Sequence, residues 1–140
     1  MTKPRIRPIL KWVLAAFYAF AGYKHLTAPE PFLGITPHWV PWPETVVMLT
    51  GVAELLGALA LVQPFDARLR KLAGWSLALY AVCVFPANIN HFIIDMHKPD
   101  HGLGLAYHLP RMPAQPLLVW LALWVSNAID WPWRTGAGPG

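Results

Sequence analysis

From Thr45 to Val62 the chain runs for eighteen residues with one ionisable side chain, Glu54, near the middle. As a helix at about 1.5 Å per residue, such a run is roughly 27 Å long, close to the apolar thickness of a bilayer. An ionised carboxylate at that depth costs at least about 2.5–3.5 kcal/mol. Glu54 is therefore expected to face a protein interior, either protonated or paired. The rest of the chain has the same character. Hydrophobic residues make up 56% and charged residues 13% of the 140 positions, against roughly 45–50% and about 25% in a soluble domain. Too few charges remain to cover so much apolar surface, and the 8 Trp exclude a disordered chain. The single cysteine, Cys83, excludes a disulfide framework, a dithiol relay and a cysteine-based zinc site; we expect it to be a small buried hydrophobe. The composition is that of a small integral membrane protein.

Hydrophobic runs predict an all-α fold, a four-transmembrane-helix bundle with helices at about 9–26, 45–62, 72–94 and 116–129. They form one membrane domain over 1–134, followed by a flexible tail at 135–140. The last span is short, and Trp131 and Trp133 after it read as an interfacial belt. The basic start and the Ala19-Phe20-Ala21 end of the first run have the outline of a signal peptide. Lys24 and His25 continue the helical pattern, so we expect that segment to be retained. Two outer loops rich in Pro and Trp, 27–44 and 91–115, are expected to form a structured cap.

Charge placement sets the orientation. Lys3, Arg5, Arg7, Lys11, Arg68, Arg70, Lys71 and Arg134 flank one side of the spans, whereas Lys24, Lys98 and Arg111 are the only cations of the other. The positive-inside rule then puts both termini in the cytoplasm and all six histidines on the outer side. No basic patch interleaved with aromatics lies outside a span, so no nucleic-acid partner is expected.

Small residues allow close helix approach in lipid, and in three spans they share a face with a polar residue. Ala15, Ala19 and Gly22 lead to His25; Gly51, Gly57 and Ala58 surround Glu54; Gly74, Ala78 and Ala81 lie in line with Asn88. This coincidence predicts a shared polar pocket. Pro86 deprives the Val82 carbonyl of its helical donor, a gap that Asn88 or Asn90 could fill. Arg111, set among Pro110, Pro113 and Pro116, is placed to bind an anion or to pair with Glu44 or Glu54. His97 and His101 have the spacing of a helical metal pair, but Pro99 stands between them. No metal site is therefore assigned, and His97, His101 and His108 remain only weak candidates. A b-type haem between His25 and His91 is a further alternative.

The chain resembles the DoxX family of small four-helix membrane proteins over about residues 9–130. The resemblance rests on Gly22-Tyr23-Lys24-His25, Leu49-Thr50-Gly51-Val52-Ala53-Glu54-Leu55-Leu56-Gly57, Val84-Phe85-Pro86-Ala87-Asn88-Ile89 and Leu109-Pro110-Arg111-Met112-Pro113-Ala114-Gln115. It implies a four-helix bundle and carries over Glu54, Asn88, Arg111 and Gln115 as motif positions. Family members include a subunit similar to that of a thiosulfate:quinone oxidoreductase, parts of a thiol-redox complex, and relatives that assist receptor assembly.

The expectation is a redox-associated protein of the bacterial inner membrane, partnered by a membrane or periplasmic redox subunit. An outer-side pocket would bind a small polar or quinone-like ligand. Glu54 would handle a proton, with Asn88, Arg111, Gln115, His25 and His91 as ligand contacts. A non-enzymatic adaptor or assembly factor, or a haem or divalent-metal protein, are the alternatives.

Overall fold

The computed structural model describes residues 5–133. The 135–140 tail, Lys3 and Arg134 lie outside them. Five helices and no strand occur among the described residues: α1 (Ile6–Thr27), α2 (Glu30–Ile35), α3 (Pro43–Val62), α4 (Ala67–His97) and α5 (Leu105–Val125). Two of them, α3 and α4, are long and apolar enough to cross a membrane.

Local signals explain most boundaries. Pro43 opens α3, where its missing N–H costs nothing, and Glu44 sits in the favourable first turn. Asp66 caps α4 by accepting from the Arg68 and Leu69 amides at 2.7 and 3.3 Å. Two expectations are corrected. The stretch 91–115 is not a long loop. α4 continues to His97 and α5 begins at Leu105, eleven residues before the expected 116, leaving only 98–104 between them. At its other end α5 stops at Val125 instead of about 129. Pro110, Pro113 and Pro116 therefore lie inside α5. Their helix-breaking cost is overridden by tertiary anchors from this same segment, His108 on Asp95 and Gln115 on the Ala81 carbonyl. The first loop contains a short helix, α2, which the sequence reading did not place.

The long helices pack in the cyclic order α1, α3, α4, α5, with α1–α3 and α4–α5 as the most extensive pairs. Close approach of α1 and α3 depends on two facing glycines. A Cβ on Gly22 would lie 2.6 Å from the Gly51 carbonyl oxygen, and one on Gly51 would lie 2.7 Å from the His25 Cβ. The apolar core, including Leu14, Leu61, Leu77, Ala122, Trp124 and Val125, occupies one half of the bundle. That half ends at the start of α1, the α3–α4 turn and the end of α5, and carries the basic clusters. All six histidines belong to the opposite end, formed by the end of α1, α2, the end of α4 and the start of α5. Outward faces are apolar: Phe20, Leu59, Leu79 and Leu117 are each more than half exposed. Cys83 is exposed as well, not buried as expected.

Candidate functional site

At the histidine end the two helix pairs enclose a cavity of about 610 Å³ instead of a packed core. All four long helices line it, and α2 and Trp39 contribute from the end. Its walls are mainly apolar, so the few polar groups in it are chemically conspicuous.

Glu54 is one of them. It is 3% exposed and lines the cavity. Its Oε2 atom has no hydrogen-bond partner among the described residues, and neither has the buried Tyr18 hydroxyl. Tyr80 stands against the same carboxyl and packs edge-on to Tyr18, with ring centroids 6.1 Å apart. Both residues line the cavity, so its wall holds an unmet acceptor and an unmet donor. Burying such groups unpaired costs free energy that a partner in the cavity would recover. Sequence reasoning missed both tyrosines. Tyr18 was in principle legible, since it lies four and seven residues before Gly22 and His25 on the face already identified.

His25 also lines the cavity but is locally committed. The Thr50 hydroxyl donates to the Val47 carbonyl at 2.8 Å. His25 Nδ1 lies 3.2 Å from that carbonyl and 3.0 Å from the Thr50 oxygen, so Nδ1 carries the proton and donates to both. Its 3.8 Å approach to Glu54 is too long for a hydrogen bond. Phe32 of α2 covers the ring at 3.8 Å between centroids.

Arg111 and Asn88 form the polar rim. Arg111 donates through Nη2 to Asn88 Oδ1 and through Nη1 to His91 Nδ1 at 3.1 Å, and lies 4.7 Å over the Tyr107 ring. The expected pairing of Arg111 with Glu44 or Glu54 is therefore replaced by Asn88 and His91. The amides near Pro86 also act elsewhere than expected. Asn88 holds Arg111, while Asn90 donates to the Ile35 carbonyl at 2.8 Å and fastens α2 to α4. It is Gln115 that donates to the turn before Pro86, 3.1 Å from the Ala81 oxygen. Gln115 lines the cavity with its amide N–H spent in this way. His91 does not line it; it acts behind Arg111 as a positioning residue.

Behind this rim lies a second cluster. Asp95 is 1% exposed. Its Oδ1 accepts from Lys98 at 2.7 Å, and its Oδ2 from the Leu103 amide at 3.1 Å and His108 Nε2 at 2.9 Å, with His91 Nε2 at 3.3 Å. The Asp95 hydrogen bond raises the Lys98 pKa above the usual lysine value. His91, Asp95 and His108 each bring a ligand atom within 4.8 Å of the others, the arrangement of a divalent site.

The hydrogen-bond pattern argues against that use. Arginine can only donate, so His91 Nδ1 is bare and its proton sits on Nε2, facing Asp95. Ligation through Nε2 would need the opposite tautomer, with an N–H aimed at a guanidinium. His108 Nδ1 is buried with no partner among the described residues, whereas a metal-bound histidine donates its second N–H to an acceptor. The cluster is a hydrogen-bonded hub on Asp95. His97 and His101 turn to the carbonyls of Ile93 and Met96 and do not join it. Nor do His25 and His91 form a haem pair, because only His25 faces the cavity.

A family model described as a domain of unknown function (DUF8561) matches residues 14–126, which include α3, α4, the whole polar rim and the Asp95 hub. The chain belongs to that family. No curated protein and no solved structure matches it. The family description carries no activity.

Proposed function

We propose that this chain is a four-span membrane protein that binds a small, largely apolar molecule with a hydroxyl or carbonyl head, a quinone-like ligand, in the cavity at its histidine end. The observation that carries this reading is the orphaned pair at the cavity wall, Glu54 Oε2 and the Tyr18 hydroxyl. A hydroxyl head complements both at once, donating to Glu54 and accepting from Tyr18. A carbonyl head accepts from Tyr18 and from a protonated Glu54. Arg111 and Asn88 meet any polar substituent at the rim.

Several features support a membrane setting. Large apolar side chains cover the outward faces, more than a soluble surface carries. α1 and α5, at 22 and 21 residues, are long enough to accompany α3 and α4 across a bilayer. Their charges are end-placed or inward: Arg7, Lys11 and Lys24 near the ends of α1, and Arg111 on the rim. The positive-inside rule orients the basic end, with both termini, toward the cytoplasm of a bacterial inner membrane. Cavity-lining Phe17 and Leu117, each more than half exposed, mark a sideways opening between α1 and α5 through which a lipid-dissolved ligand could enter. The DoxX resemblance adds a redox setting, in which the chain presents its ligand to a partner redox subunit.

Binding of a short-chain benzoquinone, followed by quenching of tryptophan emission, tests the reading. Trp39 lines the cavity and serves as reporter. Tyr18→Phe removes one donor and is expected to weaken affinity about fivefold to tenfold. Equal affinities in the two proteins contradict the assignment.

A further inference from the structure

The basic end holds a second cavity, of about 620 Å³, where the beginnings of α1 and α4 meet the chain that follows α5. Arg5, Arg7, Lys11 and Lys71 line it, and Asp130 is the one carboxylate among its described lining residues. One acid cannot balance four cations. α1 and α4 both begin here; the first turn of α4 is capped by Asp66, whereas no side chain caps α1, whose positive dipole end adds to the same sign.

Arg7 is held in place without being satisfied. Its Nη2 donates to Asp130 Oδ1 at 2.9 Å and to the Ile129 carbonyl at 3.0 Å, and its guanidinium lies 4.7 Å over the Trp124 ring. Its Nε is buried with no partner among the described residues. That N–H lacks an acceptor oxygen.

We propose that this cavity binds a phosphate group, carried by an anionic phospholipid or free in solution. A phosphate offers several acceptor oxygens to a fixed guanidinium and to the point charges of Lys11 and Lys71. Basic pockets between membrane helices on the cytoplasmic side suit anionic headgroups, and tryptophans such as Trp124 and Trp133 sit at that level. The lipid as source rests on the membrane reading above; the anion site itself does not.

Native mass spectrometry of the full chain from a nonionic detergent tests it, with phosphatidylglycerol, phosphatidylcholine or inorganic phosphate added in separate arms. Preferential retention of one phosphatidylglycerol, by about tenfold or more over phosphatidylcholine, identifies the lipid as source. A phosphate adduct without lipid preference identifies the free anion. In either case the adduct is lost in a Lys11→Gln/Lys71→Gln protein whose circular dichroism is unchanged, and weakened in Arg7→Lys, which keeps the charge but removes the Nε–H. A chain that stays monodisperse without detergent and still takes phosphate upholds the site and removes only its lipid source. Absence of any preferred anion, or undiminished retention in both variants, overturns the proposal.

Discussion

Asp95→Ala lowers the midpoint of thermal unfolding by about 10 °C or more and weakens ligand binding in a cavity that Asp95 does not touch. The carboxylate answers donors from three places: His91 on its own helix, Lys98 and the Leu103 amide in the 98–104 loop, and the His108 ring on α5. Gly102, at φ +53°, brings the loop so close that a Cβ there would overlap the carboxylate. Removing the acceptor leaves buried imidazole and amide N–H groups unpaired, which is worse than never having made the bonds. His91, freed from Asp95, no longer fixes Arg111, and the rim of the cavity loosens. Asp95→Asn falls between, because its amide nitrogen turns a donor toward one of these donors. Near-ultraviolet circular dichroism during heating reads the first effect and quinone titration the second. An Asp95→Ala protein that melts within about 2 °C of the parent would contradict the hub.

Glu54→Leu moves stability and binding in opposite directions. The carboxyl is 3% exposed and one of its oxygens is unpartnered, so the folded chain bears a desolvation cost that the Tyr80 hydroxyl beside it offsets only in part. An apolar side chain of similar volume removes that cost and is expected to leave the unfolding midpoint unchanged or raise it. Affinity for the short-chain quinone should fall about tenfold to a hundredfold, the worth of a hydrogen bond to a buried charged or strongly polar group. Parallel measurement of both quantities separates the ligand reading from the adaptor reading. If Glu54 served only internal packing, Glu54→Leu would lose stability and no ligand affinity would be there to change.

The cavity was visible in the sequence to the extent that spacing encodes it. Glu54 in an apolar run, and His25 on a common helical face with Gly22, mark two walls of the cavity in the sequence itself. The side of the bundle carrying the histidines was equally legible, because topology follows from the count of helices. The role of Asp95 was not. Two of its partners lie eight and thirteen residues away, and only the reversal of the chain at 98–104 brings them to it. The length of α5 was hidden for a related reason. Three prolines in seven residues argue locally for a turn, and the anchors that keep the helix, Asp95 and the Ala81 carbonyl, belong to α4. His91 was expected as a ligand contact, but its place in the sequence does not tell which side of the helix the ring takes.

The central claim concerns where a ligand sits, and a photoreactive quinone analogue tests it directly. After irradiation of the full chain in detergent, peptide mass spectrometry locates the adducts. The account predicts modification at the cavity wall, on α1 near Tyr18, α3 near Glu54 and α4 near Tyr80, suppressed by an excess of unlabelled quinone. Adducts confined to outward-facing residues such as Phe20, Leu59 and Leu79, unaffected by competitor, would contradict it.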